Sequence, residues 1–113
     1  MPTLAPAPSI ETLQLGELAC WRVRHGDGEL LISQQGAQIL RYGRDGQPPL
    51  IWLSEQAAYR RGQGVRGGVP ICWPWFGPAA QQGFPAHGFA RNLPWDLKAH
   101  NEDDNGVVLT FEL

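Results

Sequence analysis

The chain is nearly without lysine: Lys98 stands alone beside eight arginines, and these nine basic residues are dispersed among eleven acidic ones for a net charge of −2. Recognition of a nucleic-acid backbone draws on a stripe of cationic side chains. This balance argues against nucleic acid as a partner, so any anion recognised is small and local. Cysteine is as scarce. Cys20 and Cys72 form no CxxC pair and have no histidine beside them, which argues against a structural zinc site and for two free, buried thiols in a reducing compartment. Long apolar runs are missing too: nothing approaches the ~20 residues that span a bilayer. The opening MPTLAPAPSIETLQ has neither the basic nor the apolar region of a secretory signal. The expectation is a cytoplasmic protein without membrane contact; its oligomeric state is left open.

What is present is a globular composition, 42% hydrophobic over 113 residues, enough for one small domain or part of a larger one. Proline alternates with small residues at the start, so residues 1–10 read as a flexible lead-in and 11–113 as the folded part. LACWRV (Leu18 to Val23) and ELLIS (Glu29 to Ser33) flank the turn cluster His25-Gly26-Asp27-Gly28, a hairpin signal. GAQILRY (Gly36 to Tyr42) alternates until Gly43 to Gly46 and Pro48-Pro49 break it. LIWL (Leu50 to Leu53) reads as a short buried strand, and Ser54 as the cap of a helical turn over EQAAYR that Gly62 ends. WDLKA (Trp95 to Ala99) and VVLTFEL (Val107 to Leu113) read as strands separated by the turn region NEDDNG. Val107, Leu109, Phe111 and Leu113 share one apolar face. Short strands, repeated turn signals and no amphipathic helix predict an all-β, antiparallel sandwich. Ending on the strand-like VVLTFEL, the domain is expected to be incomplete at its C-terminus.

The distinctive stretch is Gly62 to Trp95, GQGVRGGVPICWPWFGPAAQQGFPAHGFARNLPW. It holds three of the five tryptophans, three of the four phenylalanines and five of the ten prolines. Prolines at this density forbid a regular helix, which leaves short strands and shaped loops. Among the aromatics stand few ionic or titratable groups: Arg66, His87 and Arg91, with Arg61 at the edge. Flat apolar walls with a few fixed polar groups suit a sugar or phosphosugar site. The residues alone leave a second reading open, a glycine- and proline-rich β core whose arginines face water. In an extended run, Trp73 and Trp75 would point to one face and Cys72 and Phe76 to the other.

RGGVPICWPWFG (Arg66 to Gly77) and PAHGFARNLPW (Pro85 to Trp95) closely resemble the hexose-6-phosphate mutarotases, or glucose-6-phosphate 1-epimerases, of the aldose 1-epimerase superfamily. GAQIL (Gly36 to Leu40) and IWLSEQAAY (Ile51 to Tyr59) support the resemblance in order and spacing. It covers the chain from about Glu11 but only the first part of the family's domain. It implies a large β-sandwich that binds a small-molecule hexose phosphate and interconverts its α and β anomers without a cofactor or metal. One group takes the proton of the anomeric hydroxyl and another protonates the ring oxygen; the ring opens and recloses on the other face.

On this resemblance Arg66 and Arg91 are the substrate- and phosphate-binding residues, since a planar, always charged guanidinium meets two phosphate oxygens at once. His87 is the pocket histidine that contacts the sugar and assists proton transfer. The family's general acid, a histidine, and its general base, a glutamate, correspond to positions beyond Leu113; His100 and Glu112 lack their motifs. Ala86 replaces a glutamine of some eukaryotic relatives, and Gln63 stands where lysine is frequent. The alternatives are a non-catalytic phosphosugar-binding β-module and an inactive fragment.

Overall fold

The computed structural model describes residues 9–113, and among them the chain is antiparallel β-structure with a single short 3-10 turn. Four strands form one meander in the order β1-β2-β3-β4: β1 (Ser9–Leu15), β2 (Leu18–His25), β3 (Gly28–Ser33) and β4 (Ile39–Arg44). A second, two-stranded sheet pairs β5 (Asp96–Asp103) with β6 (Gly106–Glu112). The all-β antiparallel expectation holds. β1 begins at Ser9, inside the expected lead-in 1–10, of which residues 1–8 lie outside the described residues.

The local chemistry explains the hairpins. β2 and β3 pair from Cys20↔Ser33 to His25↔Gly28, so Gly26-Asp27 is a two-residue turn. The second hairpin closes at Asp104-Asn105, where the Asp103 carboxylate accepts the backbone N–H of Asn105 at 2.7 Å and of Gly106 at 3.0 Å. An aspartate holding two turn amides in this way substitutes for the missing ladder bonds. β5 therefore runs to Asp103, into the expected turn region NEDDNG, and His100 lies within the strand opposite Leu109, exposed and 3.6 Å from Glu102.

The hairpin β5–β6 is tied to the meander by two contacts of different kinds. Trp21 on β2 meets Phe111 on β6 edge-on, with centroids 5.5 Å apart, a geometry favoured by the ring quadrupoles. His25 Nε2 lies 3.2 Å from the Asp103 carbonyl.

Two expectations are corrected. LIWL is not a buried strand: only Leu53 pairs, with Gly67, while Leu50 and Trp52 are 73% and 66% exposed. Pro48 and Pro49, just before it, carry no N–H to extend a ladder. The turn expected over EQAAYR forms only at its start, over Glu55 and Gln56. Ser54 caps it, its Oγ accepting from Gln56 N–H and its carbonyl from Ala57 N–H, but the next residues leave the turn and the Tyr59 carbonyl bonds Glu17 N–H at 2.8 Å. No helix among the described residues is long and apolar enough to cross a membrane.

Leu18, Cys20, Leu40 and Val65 form the buried core, with Leu13, Leu15, Leu31, Leu53, Ala57 and Tyr59 packed on it. Of the two expected buried thiols, Cys20 is buried and Cys72 half-buried. Burial pushes the Cys20 thiol above its ordinary value of 9.0, partly offset by a backbone hydrogen bond from Leu15. Below that value both folded and unfolded chains carry the neutral thiol, and the contribution of burial is intact. Above it the unfolded chain ionises first, so stability falls as pH rises towards the raised folded value. The expected result is a urea midpoint that declines above about pH 9, by at most about 1.4 kcal/mol per pH unit from this group. Cys20→Ala should remove that part of the slope; an identical slope in the variant would refute it.

Candidate functional site

Val65 is buried in the core and Arg66 beside it is exposed; the one anchors the segment and the other projects from it. The anchoring is reinforced by Gln38, which is 1% exposed and donates from Nε2 to the carbonyls of Val65 at 3.1 Å and Gly67 at 2.6 Å. A buried amide thus brackets Arg66 on both sides and satisfies two carbonyls that would otherwise be orphaned. Gly68 N–H donates to the Trp52 carbonyl at 2.7 Å and Val69 N–H to the Ile39 carbonyl at 2.8 Å, which lays the glycine pair flat against β4.

The second motif is folded on itself by aromatics. Trp75 stacks on Phe84 with centroids 5.9 Å apart and meets Phe89 edge-on at 5.1 Å, and Phe84 meets Phe89 at 5.3 Å. The Trp75 indole N–H donates to the Pro85 carbonyl at 3.1 Å. The Trp73 carbonyl accepts from both Phe89 N–H at 2.8 Å and Ala90 N–H at 3.1 Å, which starts the 3-10 turn Ala90–Asn92 that carries Arg91. Gly88 makes this approach feasible: it has φ +77°, and a Cβ there would overlap the backbone of Trp73 and Pro74. Only glycine combines that dihedral with that contact.

The two motifs meet at a cavity of about 340 Å³ lined by Val65, Arg66, Gly67, Gly68, Pro70, Cys72, Phe76, His87 and Arg91. The three residues singled out in the sequence, Arg66, His87 and Arg91, are therefore brought together. The alternation of the aromatic run also appears in the lining: Cys72 and Phe76 face the cavity, while Trp73 and Trp75 do not line it. Phe76 is 81% exposed, and its ring centroid is 4.9 Å from that of His87. Trp75 belongs to the aromatic cluster rather than to the cavity.

His87 is held in an unusual backbone state, φ +64°, which costs a residue bearing a Cβ about 1–3 kcal/mol. Two bonds to Gly77 compensate: His87 N–H donates to the Gly77 carbonyl at 2.8 Å, and Gly77 N–H donates to His87 Nδ1 at 3.0 Å. With Nδ1 accepting, the neutral ring carries its proton on Nε2, the nitrogen left free to donate to a ligand. Arg91 donates from Nη2 to the Ala86 carbonyl at 3.3 Å, while its Nε is buried without a partner, as is Asn92 Oδ1.

No carboxylate lines this cavity. Three other hollows of the surface each include one or two: Glu17; Asp27 and Glu29; Glu29 and Asp45. On the meander Arg22, Arg24 and Arg44 are paired with Glu11, Glu29, Asp45 or Asp27; among the described residues Arg66 and Arg91, like Arg41, Arg60 and Arg61, make no ion pair. Two uncompensated guanidinia and a histidine N–H suit an anion bearing hydroxyl groups. Gln38 was not singled out in the sequence as a site-forming residue, because it acts on a segment far from it along the chain. Among the described residues no cluster of His, Cys, Asp and Glu is placed to hold a metal ion.

Known proteins share the sequence and the fold of this chain. The profile of the aldose 1-epimerase family matches residues 19–113. A Salmonella typhimurium protein named "Putative glucose-6-phosphate 1-epimerase" is 56% identical over 94% of this chain and 36% of its own length. An Escherichia coli protein of the same name is 51% identical over 95% of this chain and 36% of its own length. The crystal structure of a Salmonella typhimurium protein described as a "putative mutarotase (YeaD)" superposes on the whole chain with a TM-score of 0.86 at 54% identity, covering 38% of that structure. The crystal structure of HI1317 does so with a TM-score of 0.85 at 37% identity. The chain spans about 36% of the length of the two curated relatives, and over that span it belongs to the aldose 1-epimerase family.

Proposed function

We propose that this chain supplies the anion-binding part of the sugar pocket of a cytoplasmic hexose-6-phosphate mutarotase acting on glucose 6-phosphate and related aldohexose phosphates. The observation that carries the reading is the convergence of Arg66, His87 and Arg91 on one cavity free of carboxylates. Arg66 meets the phosphate, its planar fork matching two oxygens, and His87 donates from Nε2 to an oxygen of the sugar. Phe76 offers its exposed ring face to the apolar side of the hexose.

Mutarotation also needs a base for the anomeric hydroxyl and an acid for the ring oxygen. By the family resemblance the base and the principal acid lie beyond Leu113, and no carboxylate lines the cavity here. The chain by itself is therefore expected to bind phosphosugar without interconverting anomers. The names of the Salmonella and Escherichia relatives support the substrate class.

The test is thermal unfolding of the chain with glucose 6-phosphate, glucose or inorganic phosphate. A ligand at a hundredfold excess over its Kd stabilises the state that binds it by about 2.7 kcal/mol. The expected result is a transition raised most by the phosphosugar and less so in high salt. Equal shifts with glucose, or none with glucose 6-phosphate, would overturn the assignment of the cavity to an anionic sugar.

A further inference from the structure

Gly64 lies two residues before Arg66 and is half-buried. A Cβ built there would stand 2.7 Å from Arg91 Nη1 and 3.2 Å from its Cζ, well inside van der Waals contact. The guanidinium therefore occupies the notch that Gly64 leaves open. From that seat Nη2 reaches the Ala86 carbonyl at 3.3 Å, one residue before His87. His87 is thus held from both sides, by Gly77 through its own N–H and Nδ1 and by Arg91 through Ala86. A backbone in the left-handed region persists only where its surroundings over-determine it.

We propose that Arg91 is a positioning residue: seated on Gly64, its guanidinium fixes the Ala86 carbonyl and thereby holds His87 with Nδ1 on Gly77 and Nε2–H left for the ligand, while Arg66 is the freely projecting anion contact. This rests on the reading of the cavity as a phosphosugar site, and it gives Arg91, which also lines that cavity, a second role in holding its neighbour. It also makes Gly64 a determinant of the site without touching the ligand. Lysine cannot replace Arg91 in this role, because an ammonium on a flexible stem does not lie flat in the notch while reaching Ala86.

Gly64→Ala is the direct probe. The atoms it would crowd belong to the end of a flexible side chain, so the guanidinium can swing away and the chain can fold, at the cost of the bond to Ala86. The readouts are the imidazole nitrogen spectrum of His87 and titration with glucose 6-phosphate. Gly64→Ala and Arg91→Lys should both turn a single Nε2–H tautomer into a mixture and weaken glucose 6-phosphate binding about fivefold to tenfold, the scale of one ordinary hydrogen bond.

Arg66→Ala should weaken binding by at least as much and leave the tautomer unchanged. A His87 spectrum unaltered in Gly64→Ala and Arg91→Lys would overturn the proposal, whatever happens to affinity. If even the unsubstituted chain bound no phosphosugar, a tautomer shift in those two variants would still support the clamp and would remove only the ligand assigned to it. Arg91→Lys carries the test should Gly64→Ala fail to give a cooperative transition.

Discussion

Gly88→Ala is expected to destabilise the chain by about 2–5 kcal/mol, the sum of a left-handed dihedral forced on a side chain and an overpacked backbone contact. Gly88 holds φ +77°, and its missing Cβ faces the carbonyl of Trp73 and the nitrogen of Pro74. Backbone atoms cannot rotate out of the way as a side chain does, so the two strands of the loop must separate. The Trp73 carbonyl would then release Phe89 N–H and Ala90 N–H, and the turn that carries Arg91 would lose its start. Gly83→Ala is the matched control. Gly83 also has a positive φ, +90°, but nothing lies within 4 Å of where its Cβ would stand. That variant should cost only the dihedral, about 1–2 kcal/mol. Urea unfolding of both variants, with glucose 6-phosphate titration, reads the difference. Equal losses at the two positions would mean that the Trp73 contact does not constrain the loop.

The same contrast shows what could be read in the sequence and what could not. LACWRV, ELLIS and VVLTFEL announce themselves because strand composition and a flanking turn are local properties, and the structure pairs them as two hairpins. SIETLQL shows less: β1 owes its place to pairing with β2 from Ser9↔Arg24 to Leu15↔Leu18, and Thr12 and Gln14 weaken its apolar signal. LIWL misleads in the other direction, since an apolar run states what a segment would gain from cover and not whether cover is there. At the site, the unusual motifs marked Arg66, His87 and Arg91, and their shared cavity follows. The hydrogen bonds that orient them were hidden. Gln38 stands 27 residues before Val65, and Gly64 the same distance before Arg91, and only the tertiary approach of these segments gives either residue its role.

Gln38→Leu should be the most damaging change that leaves the shape of the core nearly unaltered. Leucine is close to glutamine in volume, so packing changes little, but the carbonyls of Val65 and Gly67 would each lose their amide donor. A buried polar group left without a partner costs about 1–3 kcal/mol, so the pair sets an expected loss of about 2–5 kcal/mol in urea unfolding. The effect on binding is separable from that loss. Val65 would still be held by Leu18, Cys20 and Leu40 and Gly67 by its bridge to Leu53, but without the amide that brackets it Arg66 would leave the sheet less firmly fixed. At temperatures where the variant is fully folded, affinity for glucose 6-phosphate should still fall. Gln38→Glu sharpens the test: its ionised carboxylate can only accept, and so opposes both carbonyls at neutral pH, while its protonated form regains one donor. Burial raises the pKa of such a carboxyl, so the Glu variant should gain stability relative to the Leu variant as pH falls through that raised value. Stability and affinity unchanged in Gln38→Leu would show that the core alone holds the Arg66 segment, with the two amide bonds incidental to it.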